Sequence, residues 1–334
     1  AGRSRSDGRP DRRRVTSSSV TRFLARRALG AVGTLFGVLV AVFLLLSAAP
    51  GDPARLAAGG VPGRRPASEE ALEAFRAVHG LDRPLAVRLG SWLGSAIRLD
   101  LGRSFRDGRK VTERVGETLP TTLSVNGIAL LLATFIGVPL GLAAGRRPGK
   151  WADRVSGLLL DALFSLPSFA LGLLLLLLFA VKLRWAPVFA EPSSGFVGLA
   201  LPALTLALVA LAPIARVVRE SVRAALGSPS AVAGRARGES PREETLRALR
   251  RSAPAFAGLL AALVPQLVAG SVLVERVFAV PGTGQLLADS VFARDLPTVL
   301  GLTLASGVAV VVATLGADAL AALADPRIVD AEES

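Results

Sequence analysis

Long apolar segments recur along this chain, and they constrain its fold more than any other feature. A helix needs about 20 apolar residues to cross a hydrocarbon core of roughly 30 Å. Hydrophobic residues make up 51% of the chain and lie in blocks, as in integral membrane proteins. We therefore predict an all-α integral membrane protein with about six transmembrane helices, near residues 28–49, 119–144, 155–181, 198–217, 253–274 and 298–323.

The first apolar segment resembles a secretory signal, because it follows arginines and ends in the small residues at 47–49. Its apolar run exceeds the roughly 7 to 15 residues of a signal core, and further spans follow it. We therefore predict an uncleaved helix. The expected parts are a disordered basic cytoplasmic tail (1–25), helix 1 (26–49), an extracytoplasmic helical segment (50–118), a five-helix transmembrane core (119–328) and a cytoplasmic tail (329–334).

Basic residues set the expected orientation. Arginines crowd the stretch before the first span, and the loops at 145–154 and 216–252 are also basic, which places all three in the cytoplasm. Six crossings then return the C-terminus to the cytoplasm. The net charge of +13 fits this topology in a cell membrane. We predict the lipid bilayer as a partner and no nucleic acid, because no basic and aromatic alternation of the kind that stacks bases is present.

The chain lacks the residues that several kinds of metal site, catalytic site and nucleotide site require. The chain has no Cys, and His79 is its single histidine, so we expect no metal site and no catalytic residues. The nearest approach to an ATP-binding loop, at 145–151, is too short and has Trp in place of the Mg²⁺-binding Ser or Thr. The few ionisable residues within spans, Asp161, Glu275 and Asp318, suggest no proton relay. Energy must come from elsewhere, or the path is passive.

The long segment at 50–118 is expected to form a small helical cap. A capping serine and acidic first turn begin a helix at 68–78, whose Leu72, Phe75 and Val78 share one face. A second short apolar helix follows it. His79 is expected at a helix terminus, not as a ligand.

Predicted breaks within the spans suggest a translocation path: SLPSF at 165–169 interrupts the third span, and the other breaks are at Pro139, Pro202, Pro213 and Pro265. Each proline removes a backbone hydrogen bond, which a membrane tolerates only against protein or a wet cavity. Kinks for packing alone are the alternative. The predicted path or gate residues are Pro167, Ser168, Pro202 and Pro265. Small-residue runs at 30–37 and 137–141 would let helices approach closely.

Residues 216–252 form a polar, Arg-rich excursion between two spans, centred on AGRARG at 233–238. A compact charged segment on one face of a membrane protein is typically held for a partner. The chain supplies a path and no energy source, which indicates the membrane half of a transporter.

The segment from about residue 26 to 328 resembles the inner-membrane permease subunit of dipeptide, oligopeptide and nickel ABC importers, in its first-permease (DppB- or OppB-like) branch. The matching motifs occur in the family's order: APGDP at 49–53, GLDRP at 80–84, DLGRSF at 100–105, LPTTL at 119–123, SLPSF at 165–169, LPALT at 201–205, VFAVPGTG at 277–284, RDLP at 294–297 and ADPRI at 324–328.

This resemblance implies the ABC type I importer permease architecture and a role as half of an alternating-access path for di- or oligopeptides. The implied partners are a second homologous permease, two ATP-binding subunits that carry the ATP and Mg²⁺, and an extracytoplasmic solute-binding protein. It also implies a coupling helix that docks in the ATPase. The corresponding residues are Val232, Ala233, Gly234, Arg235, Arg237, Gly238, Ser240, Pro241 and Arg242.

In this family the coupling segment commonly starts Glu-Ala-Ala, which falls here on Val232, Ala233 and Gly234, without the acid. The implied receptor contacts are Pro281, Gly282, Gly284 and Gln285. A nickel-chelate or other metal-chelate importer shares the fold and is one alternative. A passive channel or membrane scaffold is another, although no ring of lining charges is evident.

Overall fold

The computed structural model describes residues 17–55, 68–188 and 195–324. They form helices with no β-strand, only an isolated bridge between Arg103 and Lys110, so the all-α prediction is confirmed. The helices are α1 (Ser17–Ala48), α2 (Glu69–Val78), α3 (Leu85–Ala96), α4 (Val111–Arg146), α5 (Trp151–Ser165), α6 (Ser168–Leu175, continued by a π-helix Leu176–Lys182), α7 (Gly195–Leu226), α8 (Pro229–Ala236), α9 (Pro241–Val277), α10 (Thr283–Phe292) and α11 (Leu296–Ala324).

Five of the described helices, α1, α4, α7, α9 and α11, are long and apolar enough to cross a membrane. They contain five of the predicted spans and extend beyond them, because polar end residues continue the helical backbone. The described part of α1 starts at Ser17, so residues 17–25 are helical and do not belong to a disordered tail. Residues 1–16 and 325–334, which include the rest of both predicted tails, lie outside the described residues.

The third predicted span is divided into α5 and α6. Leu166, between them, has an extended backbone with φ −83° and ψ 133°. A proline disfavours the helical conformation in the residue before it, and Pro167 therefore ends α5 at Ser165. The predicted interruption at 165–169 is confirmed.

The other prolines lie inside unbroken helices: Pro139 in α4, Pro202 and Pro213 in α7, and Pro265 in α9. The expectation that they break their spans was wrong. Each removes one hydrogen bond of a long ladder. The remaining bonds and the packing around each helix keep it continuous, and Pro202 is itself buried.

Helix α7 is the central element and contacts α4, α5, α6 and α9. A glycine stripe on α4 faces it at intervals of four residues. A Cβ would lie 2.8 Å from the Ile214 side chain at Gly137, and 2.4 Å from the Ala215 carbonyl oxygen at Gly141. The predicted close approach at 137–141 is confirmed. At the three glycines of residues 30–37, by contrast, no described atom lies within 4 Å of such a Cβ.

Residues 68–110, here called the cap, contain α2 and α3. The Ser68 hydroxyl accepts from the Ala71 N–H at 3.3 Å, as a helix N-cap should, and Gly80 has φ +62° just beyond α2. Leu72 is buried. Val78 is 81% exposed, so it does not share the buried face, contrary to the sequence prediction.

Three of the sequence motifs meet where the cap joins the spans. The Asp295 carboxylate accepts from the Ser104 hydroxyl at 2.5 Å and from the Phe105 N–H at 2.9 Å. Arg294 donates to the carbonyl oxygens of Ala49 and Pro50. The start of α11 thus fixes both the cap and the end of α1.

Candidate functional site

Helix α8 is a short element between two long apolar helices. Ser228 precedes it with an extended backbone, and Pro229 occupies its first turn, where the missing N–H costs nothing. Gly238 follows with φ +81°, a conformation that glycine adopts without the Cβ penalty. The glycine that the resemblance assigns to the end of the coupling helix therefore lies just beyond a helix end.

The predicted coupling residues form an almost continuous exposed surface. Gly234 is buried together with Ala231, one turn before it. A Cβ on Gly234 would lie 2.0 Å from the Glu239 carboxylate, so this small residue lets the following loop fold back on α8. The exposed members are Val232, Ala233, Arg235, Arg237, Gly238, Ser240, Pro241 and Arg242.

Polar contacts attach α8 to the first turns of α9. Arg235 of α8 pairs with Glu244, and Glu239, in the loop that follows α8, pairs with Arg247. Arg251 donates to the Ser230 hydroxyl at 2.7 Å. These contacts link α8 and the loop that follows it to α9.

The start of α9 is further stabilised by a capping box. The Ser240 hydroxyl accepts from the Glu243 N–H, and the Glu243 carboxylate accepts from the Ser240 N–H at 2.8 Å. This arrangement fixes the direction in which α9 leaves the loop.

Of the predicted path residues, Ser168 and Pro265 belong to facing elements, α6 and α9. Ser168 lines a cavity of about 210 Å³ together with Gln266, the neighbour of Pro265, and Leu206 of α7. Pro167 and Pro265 are exposed. Pro202 is buried in α7 and is not among the residues that line this cavity.

Two ion pairs join α5 to α7. Asp161 pairs with Arg216, and both side chains are more than half exposed. Arg219 donates two hydrogen bonds to the Asp153 carboxylate, at 2.7 and 3.1 Å. A third pair, Arg27 with Asp318 at 3.3 Å, joins α1 to α11.

Glu275, near the end of α9, is fully buried. One carboxylate oxygen accepts from the Thr122 hydroxyl at 2.7 Å, and the other accepts from the N–H groups of Gly284 and Gln285 at 2.7 and 3.1 Å. Those N–H groups are the unpaired donors of the first turn of α10, which attracts an anion. The carboxylate therefore binds α4, α9 and α10 together.

This network corrects the predicted receptor surface. Pro281 is exposed and Gln285 is half-buried, but Gly282 and Gly284 are buried. A Cβ at Gly282 would lie 2.4 Å from the Glu275 carboxylate, and one at Gly284 would lie 2.6 Å from the backbone of Val272. The two glycines make room for the buried carboxylate and do not present a surface.

His79 lies at the C-terminal cap of α2, as predicted. Its Nδ1 is 2.9 Å from the Phe75 carbonyl oxygen, and the two rings stack at 4.0 Å. Among the described residues, no three His, Cys, Asp or Glu side chains are grouped so as to hold a metal ion.

Glu275 and Asp161 stand out in the sequence as carboxylates within spans, but no local pattern identifies their partners. Thr122 belongs to the LPTTL motif, and Arg216 lies at the start of a basic loop. The cost of an unpaired carboxylate within a span was the signal that could have prompted a search for donors.

Comparison with known families supports this architecture. Residues 137–330 match the family described as "Binding-protein-dependent transport system inner membrane component", and residues 20–126 match the N-terminal region of such membrane components.

Curated relatives align over nearly their whole length. A putative peptide transport system permease protein of Brucella abortus is 33% identical over 318 residues, covering 92% of this chain and 99% of the relative. The oligopeptide transport system permease protein AppB of Bacillus subtilis is 31% identical, with 92% and 98% covered. The glutathione transport system permease protein GsiC of Escherichia coli is 33% identical, also with 92% and 98% covered.

The family matches together extend over most of the chain and include the glycine stripe, the divided α5–α6 segment, α8 and the Glu275 network. The chain therefore belongs to the family of inner-membrane components of binding-protein-dependent transport systems, and it is a multi-pass membrane permease of the ABC type I fold.

Proposed function

We propose that this chain forms half of the translocation path of an ATP-driven importer for di- or oligopeptides or similar small solutes. The observation that carries the proposal is α8: a short helix with an exposed face, attached through ion pairs to a long apolar helix. A short helix of this kind suits insertion in the groove of a partner. The peptide substrate is favoured by relatives that are named as peptide, oligopeptide and glutathione permeases.

The proposed assembly has a second, homologous permease, two ATP-binding subunits and an extracytoplasmic solute-binding protein. One such chain supplies half of a path, and pseudo-twofold pairing completes it. ATP and Mg²⁺ belong to the ATP-binding subunits, and this chain binds no cofactor. Pro281, exposed at the start of α10, is the proposed contact for the binding protein.

The proposed orientation places both termini and α8 in the cytoplasm. Arg22, Arg26 and Arg27 lie in the first turns of α1, and Arg146 and Arg147 end α4. Cations at the ends of spans favour the cytoplasmic side. The α9–α10 loop and the cap then face outward.

The proposed mechanism is alternating access. ATP binding draws the two ATP-binding subunits together, and each carries a bound α8 with it. The Arg235–Glu244 and Arg247–Glu239 pairs transmit that movement to α9. Gln266 of α9 and Ser168 of α6 line the proposed path. The inward-facing and outward-facing states differ in how the ATP-binding subunits hold α8. ATP binding can therefore shift the populations of these two states.

The test is affinity purification of the chain from its native membrane in detergent, followed by mass spectrometry of what is retained. Wild type is compared with Gly238→Pro and Gly108→Pro. Both glycines have positive φ, +81° and +72°, and both donate their N–H at 3.0 Å to a nearby carbonyl oxygen. Gly108 lies in the cap and provides a matched control.

We expect wild type and Gly108→Pro to retain a second permease and two ATP-binding subunits, and Gly238→Pro to lose the ATP-binding subunits. Recovery of the chain alone in all three preparations would refute the importer assignment and favour a channel or scaffold. Recovery of ATP-binding subunits that is unaffected by Gly238→Pro would refute coupling through α8.

A further inference from the structure

A cavity of about 500 Å³ lies between the cap and the spans. Its lining includes the buried Phe43 of α1 and Leu300 of α11. Arg88 and Trp92 of α3, one helical turn apart, also line it. The volume lies within the roughly 300 to 1,000 Å³ of small-molecule sites.

Arg88 is a cation without an anion. Its guanidinium lies 5.7 Å from the centre of the Phe43 ring and makes no hydrogen bond or ion pair with the described chain. Burial lowers its pKa, with no neighbouring carboxylate to oppose the effect. A half-buried charge with this little compensation is costly, and an anion in the cavity would offset the cost.

Two further donors nearby lack acceptors. The Trp92 Nε1–H and the Ser47 hydroxyl are buried, and neither has a hydrogen-bond partner. Trp92 lines the cavity with Arg88, and Ser47 lines an adjoining cavity of about 180 Å³ that Arg88 also lines. Buried donors are nearly always satisfied in folded proteins, so an acceptor is expected here.

The charges around the larger cavity also favour an anion. Arg83 and Arg103 line it in addition to Arg88, against the single carboxylate of Asp100. One oxygen of that carboxylate already accepts from the Gly102 N–H at 3.0 Å. The cavity therefore carries a net positive charge.

The surroundings are those of a membrane interface. The cavity lies against the ends of two apolar helices, and the cap exposes large apolar side chains near it. Val78, Ile97 and Leu99 are 81%, 85% and 81% exposed. Exposed apolar residues beside arginines are typical of a surface that lies at the headgroup boundary of a bilayer.

We propose that this cavity binds the phosphate headgroup of an acidic phospholipid. Arg88 holds the phosphate, with the Trp92 N–H as a second donor, and an acyl chain lies over the exposed side chains of Val78, Ile97 and Leu99. This site is separate from α8 and from the proposed path. It depends on the chain being embedded in a membrane and not on the solute that it transports.

The test is native mass spectrometry of the full chain in detergent with added phosphatidylglycerol or phosphatidylcholine at equal concentration. The variants are Arg88→Gln, Trp92→Phe and, as the matched control, Arg98→Gln. Arg98 is an exposed arginine just beyond α3 that does not line the cavity. Monodispersity and helical content are checked for each variant.

We expect wild type and Arg98→Gln to retain phosphatidylglycerol in preference to phosphatidylcholine. Arg88→Gln should bind it about tenfold more weakly, as the loss of a charge-assisted hydrogen bond implies. Trp92→Phe keeps an aromatic side chain but removes the N–H, and it should weaken binding severalfold, so it tests the site even if Arg88→Gln is unstable.

The proposal would be overturned if wild type retained both lipids equally. It would also be overturned if Trp92→Phe retained phosphatidylglycerol as well as wild type does. If Arg98→Gln weakened phosphatidylglycerol binding as much as Arg88→Gln, general surface charge would explain the effect and the proposal would also be overturned. Displacement of the lipid by inorganic phosphate or by a soluble dipeptide at similar concentration would assign the site to a soluble anion instead.

Discussion

The Thr122 hydroxyl of α4 donates a hydrogen bond of 2.7 Å to the Glu275 carboxylate of α9. The same hydroxyl oxygen accepts from the N–H and the hydroxyl of Thr283, at 2.8 and 3.0 Å. Its one donor and two acceptor sites are thus fully used. At these two side chains α4 meets α9 and α10, which follow much later in the sequence.

Replacement of Glu275 by Gln should destabilise the protein. The amide keeps the size of the side chain but exchanges one acceptor for a donor, so it opposes either the Thr122 O–H or the N–H groups of α10. We expect a loss of about 2 kcal/mol, typical of a buried hydrogen bond to a charged group. The thermal midpoint in detergent measures this effect.

Glu113→Gln is the control for this change, because Glu113 is an exposed glutamate. Its midpoint should match wild type. Thr122→Val, alone and with Glu275→Gln, completes a double-mutant cycle, and the two losses should not add. Additive losses would show that the two side chains stabilise the protein independently.

Replacement of Gly141 by Ala should force α4 away from α7. The new Cβ would lie 2.4 Å from the carbonyl oxygen of Ala215, a backbone atom that cannot rotate aside. Overpacking of this kind costs about 1–3 kcal/mol. We expect a lower thermal midpoint and a lower yield of monodisperse protein.

The control on the same helix is Gly127→Ala, where no atom of the described chain lies within 4 Å of the added Cβ. Removal of an exposed helical glycine should leave stability unchanged or raise it slightly. If both alanines lowered the midpoint equally, backbone flexibility of α4 would matter more than its contact with α7.

The sequence predicted the helices well because their signals are local. The length of the apolar segments predicted the spans, and Pro167 predicted the division of the third span. The serine and acidic residues at 68–70 predicted the start of α2. Helix limits were less accurate, as at Ser17, since polar end residues continue a helix without adding hydrophobicity.

The contacts between distant residues could not be predicted in the same way. Glu275 is separated from Thr122 by most of the transmembrane core, and no periodicity relates them. Gly282 and Gly284, which the resemblance implies as receptor contacts, are buried for a similar reason, because the carboxylate that excludes a side chain there belongs to another helix. Pairing of this kind is set by tertiary packing, which a single sequence does not display.

The face that bears Asp161 and Arg216 should be accessible to water. Asp161 lies ten residues after the start of α5, and Arg216 lies ten residues before the end of α7, about 15 Å along each helix axis at a rise of 1.5 Å per residue. An ion pair with both side chains more than half exposed is costly where it faces lipid. Because the chain has no Cys, single-cysteine variants give a unique label. A membrane-impermeant thiol reagent should modify Arg216→Cys from the α8 side of the membrane.

Val312→Cys is the comparison, since Val312 is a 65% exposed residue on the apolar surface of α11. It should react at least tenfold more slowly. Similar slow reaction at both positions would place Asp161 and Arg216 against lipid or a dry interface and would exclude this face from the path.

The ion pair between Asp52 and Arg76 should make the attachment of the cap dependent on pH. The hydrogen bond from Arg76 is the largest influence on the pKa of Asp52 and lowers it from the usual value of 3.8. A lowered pKa means that the carboxylate stabilises the fold above pH 3.8 and that this stability is lost as the pH falls through the folded pKa.

The pair is partly solvated, so its contribution is at most about 1 kcal/mol. The thermal midpoint of wild type should exceed that of Asp52→Asn at pH 6, and the difference should shrink as the pH falls below 3.8 and through the lowered pKa of Asp52 in the folded protein. Asp82→Asn, which changes an exposed aspartate of the cap, should follow wild type throughout. A difference that persists at low pH would mean that Asp52 acts through packing and not through its charge.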